Sequence, residues 1–187
     1  MALMPKPHLS ELDPELFAAD LVEALAARTN TQLVALGLPP VERLTPAQAP
    51  LYRLVLGLAR YAVEGVPMAH LQEAMAYLQV QLFASIAQPT PEGHLTGAED
   101  PKDLPGSLVG WAQMVLLAAQ GRAELEAGRS VSAGELAALA STSADYVRQL
   151  VQLGELRGLQ VDRERPTTGV RSKDARAWAA ARGVHGL

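Results

Sequence analysis

The chain has 187 residues and a formal net charge of −4, and 49% of its residues are hydrophobic although only 4% are aromatic. Its core must therefore be built mainly from Leu, Ala and Val, a composition that favours helices over sheets. Cysteine is absent, which excludes disulfides, thiol nucleophiles and thiolate metal sites and fits a reducing compartment.

The first twelve residues do not resemble a targeting signal. They contain two prolines and the acidic Glu11, whereas a secretory signal needs a basic start and a continuous apolar stretch. Elsewhere no apolar run approaches the roughly 20 residues that cross a bilayer. We therefore expect a cytoplasmic protein that has no membrane partner.

Helix signals are clear in the first part of the chain. Asp13 is a predicted N-cap, Pro14 takes the first helical position, and the apolar spacing that follows breaks near residues 29–30. A second helix is predicted to open at the capping box over residues 45–48 and to end at Gly65.

A third helix is predicted from Pro67 to about Ala87. Its apolar residues recur at steps of three and four, close to a heptad seam, which is typical of helices that pair with each other. This stripe is therefore our first candidate for an oligomerisation surface, and the alternative is a plain helix that faces the core. The stripe consists of Met68, Leu71, Met75, Leu78, Leu82 and Ile86.

A loop and a fourth helix follow. Residues 88–105 contain four prolines and two glycines and predict a long surface loop. A helix is then expected from Gly106 to about Ala127, closed by Gly128. Its apolar segment from Leu108 to Leu117 is a second candidate for self-association.

The charge is distributed unevenly along the chain. Residues 1–128 carry 7 Lys and Arg against 14 Asp and Glu, a formal charge of −7, whereas residues 129–187 carry 9 against 6, a formal charge of +3. A basic end on an acidic body is typical of a module that faces a polyanion. We therefore predict two domains, a helical bundle at 1–128 and a separate basic domain at 129–187.

Two short helices and a tight turn are predicted in the basic domain. Ser132 and Glu135 form a capping box that opens the first helix. After the turn at residues 141–143, Ser143 caps the second helix, which ends at Gly154. Such a pair presents its second helix outward, at a size that fits the major groove of DNA.

Helical spacing predicts which side chains of the second helix face outward, if Val147 and Leu150 face the core. Arg148 and Gln149 are the leading candidates for base or phosphate contact, because arginine pairs with guanine and glutamine with adenine. Asp145 is a poor neighbour for phosphate but can accept a hydrogen bond from cytosine. The predicted contacts are Ser143, Ala144, Asp145, Arg148, Gln149 and Gln152.

A two-stranded hairpin is predicted after the second helix. Residues 156–161 form one strand, the chain returns through Val170, and residues 166–169 form the tip. Ser172 is then expected to cap a final helix that ends at Gly183. Basic residues in and around the hairpin are expected to bind phosphates: Arg157, Arg163, Arg165, Arg171 and Lys173.

This order of elements resembles the excisionase-like and MerR-like winged helix-turn-helix superfamily over about 55 residues. The resemblance implies that the second helix enters the major groove and that the wing contacts the DNA backbone or the minor groove. The chain departs from the family at Ser141-Thr142, where glycine and an apolar residue are common, and at the outward Asp145. The matching motifs are Val131-Ser132-x-x-Glu135-Leu136-Ala137, Val147-Arg148-x-Leu150, Gly154-Glu155-Leu156 and Asp174-Ala175-Arg176-x-Trp178.

Other chemistry has little support in the sequence. No phosphate-binding glycine loop or nucleophile elbow is present. We therefore expect no enzymatic activity, no cofactor and no metal. The histidines are far apart, without metal-ligand spacing: His8, His70, His94 and His185.

Together these features predict a mainly α-helical protein, with an N-terminal helical bundle and a small C-terminal winged helix-turn-helix domain. The predicted function is sequence-specific binding of double-stranded DNA as a transcriptional regulator. A dimer is expected, because one small reading head buries too little surface for strong specificity. The alternatives are a DNA-recognising recombination or phage packaging and assembly factor, or a protein-interaction adaptor without a DNA role. The bundle is expected to mediate self-association or to bind a protein partner.

Overall fold

The computed structural model describes residues 9–40, 49–86, 108–159 and 169–187, and within these ranges the chain is mainly helical, as predicted. The described helices are α1 Pro14–Ala35, α2 Pro50–Glu64, α3 Leu71–Ile86, α4 Leu108–Glu126, α5 Ala133–Leu139, α6 Ala144–Gln152 and α7 Ser172–Ala181. A 3-10 turn, Leu9–Glu11, precedes α1. The described strands are β1 Val131–Ser132, β2 Gly158–Leu159 and β3 Gly169–Val170.

The predicted start of α1 and the predicted end of α2 are confirmed. The Asp13 carboxylate accepts the amide hydrogens of Glu15 at 2.9 Å and of Leu16 at 3.1 Å, and so caps α1. Gly65 ends α2 with a φ of +74°, a conformation that favours glycine. The capping box at residues 45–48 and the loop at 88–105 lie outside the described residues.

Two predicted helix boundaries are wrong. The break in the middle of α1 is replaced by continuous helix, in which the hydroxyls of Thr29 and Thr31 donate to carbonyl oxygens four residues earlier at 2.9 and 3.0 Å. Helices accommodate this back-bonding by threonine. α3 begins at Leu71 instead of Pro67, because His70 has a φ of +60° and cannot belong to a right-handed helix.

α4 is the central helix of the molecule. It packs against α1, α2, α3, α5 and α7. A Cβ atom on Gly121 would lie 3.0 Å from Glu135 Cβ and 3.0 Å from Leu139 Cδ1, both in α5. Only glycine leaves room for this approach, so α5 lies directly on the backbone of α4.

The buried residues of both predicted domains form one continuous hydrophobic core. The boundary predicted at residue 128 therefore lies between α4 and β1, two elements that contact each other. The division into two domains stays a prediction. The largest fully buried apolar side chains are Val55, Leu58, Leu78, Val115, Leu125, Val131, Leu136, Val147 and Val170.

The stripe predicted for oligomerisation faces the core of its own chain. Met75 and Leu78 are 8% and 1% exposed, and Met68 and Leu71 are half-buried against the same core. The burial of Met75 and Leu78 fits the alternative of a helix that faces the core, because α3 packs on α2 and α4. Self-association itself stays a prediction. The side chains of the other two residues of the stripe, Leu82 and Ile86, are not among those that the structure describes.

Arg122 places a fully buried charge in α4. Its Nη1 donates to the carbonyl oxygen of His185 at 2.8 Å, and its Nη2 donates to that of Ala62 at 3.5 Å. Burial lowers the pKa of the Arg122 guanidinium, and the nearby Glu126 carboxylate opposes this shift. The arginine thus connects the end of α2 and the residues after α7 to the central helix.

Tyr61 of α2 makes a second polar contact with α4. Its hydroxyl donates to Glu126 Oε2 at 2.8 Å. Burial raises the pKa of Tyr61 well above its usual value, and the hydrogen bond to Glu126 adds to this shift. Close by, a Cβ atom on Gly65 would lie 2.7 Å from Arg122 Nη1. The end of α2 therefore requires glycine for space as well as for its positive φ.

Arg122→Ala is expected to lower the free energy of unfolding by about 3 kcal/mol, because it opens a cavity and removes the donor for the carbonyl groups of Ala62 and His185. Urea unfolding followed by circular dichroism measures this. Arg60→Ala is the matched control, since Arg60 pairs with Glu15 at 2.6 Å while 42% of its side chain is exposed. The control should lose less than about 1 kcal/mol. Equal losses would contradict the structural role of Arg122.

Candidate nucleic-acid interface

The strands of a small antiparallel sheet flank the α5–α6 pair in the chain, with β1 before α5 and with β2 and β3 after α6. Its strand order is β1-β3-β2, with Val131 opposite Val170 and Val170 opposite Gly158. β1 is too short to give an alternating pattern, and sequence analysis missed it. Residues 160–168, between β2 and β3, lie outside the described residues, as do the predicted contacts Arg163 and Arg165.

The start of α5 is as predicted. Ser132 Oγ accepts the amide hydrogen of Glu135 at 3.2 Å, and the Glu135 carboxylate accepts that of Ser132 at 2.7 Å. This reciprocal capping box satisfies two amides that the first turn of a helix leaves unpaired. Leu136 and Leu139 are buried in the core. The capping box therefore fixes the start of α5, and the buried leucines fix the rest of the helix up to the turn.

The turn between α5 and α6 contains a strained residue. Ser141 has a φ of +50°, in the left-handed region where side chains are disfavoured. Its hydroxyl oxygen accepts the amide hydrogen of Leu9 at 2.6 Å. The serine thereby connects the 3-10 turn near the N-terminus to the start of α6.

α6 has a buried apolar side and an exposed polar side, as predicted. Ser143 Oγ accepts the amide hydrogen of Tyr146 at 3.1 Å and caps the helix. Val147 and Leu150 are 0% and 5% exposed, so their predicted inward orientation is confirmed. Ala144 is half-buried against the core, and the Ser143 hydroxyl is engaged in the cap. The exposed polar side chains of α6 are Asp145, Arg148, Gln149 and Gln152.

Arg148 forms an ion pair within α6. Its Nη1 lies 2.5 Å from Asp145 Oδ1, while the two side chains are 50% and 85% exposed. Exposed pairs of this kind contribute little to stability, because water and salt screen them. An anion that binds Arg148 more strongly than this carboxylate does can therefore displace Asp145.

Two arginines lie opposite each other at the base of the hairpin. The Arg171 amide donates to the Arg157 carbonyl oxygen at 3.1 Å, and both residues are exposed, as is Lys173 nearby. No carboxylate in the described part of the chain forms an ion pair with these three residues. The register of the two strands therefore places like charges on opposed residues.

Other basic residues of the C-terminal part have structural contacts. Arg129 forms two hydrogen bonds with Glu124, at 2.5 and 3.1 Å, and these lower the pKa of that carboxyl group. The Arg176 guanidinium donates twice to the Leu125 carbonyl oxygen near the end of α4, at 3.0 and 2.5 Å. The local excess of positive charge is therefore not all free for a ligand.

The start of α7 differs from its prediction. Ser172 is the first residue of the helix instead of its cap, and Arg171 occupies the N-cap position without a side-chain cap bond. The residue after the strand is already in the extended conformation that an N-cap requires, so the helix starts one residue earlier. Gly183 follows α7 with a φ of +81°, as expected for a helix end.

Sequence analysis missed a contact between α6 and the end of α7. Arg182 Nη2 donates to the Tyr146 hydroxyl at 3.0 Å. The same guanidinium lies 4.4 Å from the centre of the Trp178 ring and 5.2 Å from that of Tyr146, within the range of cation–π attraction. Trp178 and Arg182 are four residues apart, a spacing from which their contact could have been predicted, but no signal in the sequence places Tyr146 beside them.

The chain matches no protein-family model, no curated protein and no solved structure. The superfamily resemblance therefore stays a prediction. Among the described residues, no group of three or more His, Asp or Glu is placed to hold a metal ion. No described helix is long and apolar enough to cross a membrane.

Ser141→Gly is expected to give a protein about 1 kcal/mol more stable than Ser141→Ala, because both lose the bond to Leu9 but only glycine relieves the positive φ. Thermal and urea unfolding measure the difference. Ala138, a residue of the right-handed helix α5, is the control position. There the variant with glycine should be less stable than the protein with alanine. If Ser141→Ala were the more stable variant, the left-handed turn would be refuted.

Proposed function

We propose that residues 129–187 form a winged helix-turn-helix domain that binds double-stranded DNA, with α6 in the major groove. The two-sided character of α6 supports this best, since Val147 and Leu150 anchor one side and Arg148 and Gln149 are exposed. A short helix held in this way can insert its free side between the phosphate backbones. Arginine and glutamine are suited to reading base edges there.

The hairpin supports the same proposal. β3 lies between β1 and β2, so the hairpin is anchored beside the segment that leads into α5. Arg157 and Arg171 lie side by side at its base without carboxylate partners in the described part of the chain. Both residues are exposed and could contact phosphate groups, and such contacts supply affinity that does not depend on sequence.

We further propose that binding is site-specific and regulatory. The formal charge of −7 on residues 1–128 opposes a general coating of nucleic acid and confines binding to the basic part of the chain. One domain of this size buries little surface on DNA, so two copies on a paired site would combine their affinities. The copies would be joined through residues 1–128, by a surface other than Met75 and Leu78.

The test is a selection of duplexes from a random pool, followed by fluorescence anisotropy on the selected site. Combined Arg148→Ala and Gln149→Ala substitutions should weaken binding at least tenfold, since a base contact contributes about 1–3 kcal/mol. The matched control is Arg53→Ala with Gln79→Ala, the same residue types exposed on α2 and α3. Failure to select any duplex, or equal effects of the two pairs, would refute the proposal.

Asp145→Asn is expected to raise the affinity for duplexes of any sequence several-fold, because it frees Arg148 and removes a negative charge that phosphates repel. Anisotropy titrations at two salt concentrations measure this, and the gain should shrink at the higher concentration. Glu73→Gln, which changes an exposed carboxylate on α3, should leave the affinity unchanged. A loss of affinity confined to selected sites would instead identify Asp145 as an acceptor for cytosine.

A further inference from the structure

A cavity of about 250 Å³ lies where four parts of the chain meet. These parts are the 3-10 turn, the end of α2, the turn between α5 and α6, and the residues that follow α7. The floor is apolar and buried, with Leu9, Ala62 and Leu139 among its residues. The rim includes the exposed Ser10 and Arg182, so a small molecule can enter from solvent.

The polar residues of the lining favour an anion. Arg182 and His185 are its ionisable members, and the described lining contains no Asp or Glu. Ser10 and Ser141 add hydroxyl groups. Arginine carries five N–H donors, of which Arg182 uses one on Tyr146. The guanidinium lies against the rings of Trp178 and Tyr146, which are not part of the lining, and its remaining donors suit a carboxylate group at the rim.

The walls of the cavity are held in place by contacts already described. Ser141 Oγ fixes the backbone of Leu9 at 2.6 Å, and Arg122 fixes the carbonyl group of His185 at 2.8 Å. Both contacts join segments that are more than 60 residues apart in the chain. A cavity bounded in this way is formed before any ligand arrives, which is the usual state of small-molecule sites.

We propose that this cavity binds a small aliphatic monocarboxylate, with its carboxylate on Arg182 and its chain on the apolar floor. A volume of about 250 Å³ has room for an acid with a chain of a few carbons. This proposal goes beyond DNA binding and is independent of it, because ligand binding is measured on the free protein.

Two readouts test the proposal on the full chain, with acetate, propionate, butyrate and the neutral butyramide as probes. Saturation-transfer NMR detects binding directly. Trp178, which contacts Arg182, reports by fluorescence in a Trp111→Phe background, because the chain has two tryptophans. Butyrate should bind saturably and at least about tenfold more tightly than butyramide, the difference between charged and neutral hydrogen bonding.

Matched variants place the ligand in this cavity. Ala140→Met introduces a longer side chain at a half-buried lining residue and should abolish butyrate binding, whereas Ala127→Met, on an exposed residue beyond α4, should not. Arg182→Gln removes the charge at an exposed position and should reduce butyrate to the affinity of butyramide. The proposal is overturned if no acid binds saturably, if butyramide binds equally well, or if Ala140→Met and Arg182→Gln both leave binding unchanged.

Discussion

The contact between α5 and the backbone of α4 at Gly121 is the constraint on which the C-terminal part of the structure depends. The missing side chain lets Glu135 and Leu139 approach the central helix directly, and close packing leaves little freedom in how α5 lies. The turn at Ser141 then leads into α6, which packs on the same core through Val147 and Leu150. The close approach at Gly121, a residue of the other predicted domain, thus fixes the helix from which α6 continues.

Arg122, the next residue in the chain, imposes a second constraint of a different kind. Burying a guanidinium is costly unless its donors find acceptors. The carbonyl groups of His185 and Ala62 accept from its two terminal nitrogens, whereas Nε has no partner in the described part of the chain. The need to satisfy this charge joins the end of α2 to the segment after α7. That segment follows Arg182 and forms one wall of the cavity, so the same buried charge supports the proposed ligand site.

The local charge of the C-terminal part divides into two roles. Arg129 and Arg176 are engaged by a carboxylate and a backbone carbonyl group and hold the end of α4. Arg157 and Arg171, by contrast, lie exposed and side by side. A count of charges along the sequence does not separate these roles, because the Leu125 carbonyl group that engages Arg176 is brought to it by the tertiary fold.

Local features of this protein could be predicted from neighbouring residues alone, including the cap at Ser132, the helix end at Gly154 and the inward side of α6 at Val147. Caps and helical periodicity depend on residues a few positions apart, so they can be predicted without the fold. What each apolar stripe packs against depends on the whole fold, which buries Met75 within its own chain. The fold also decided the pairing of β1 and the burial of Arg122, because the partners in those contacts lie tens of residues away and leave no periodic signal.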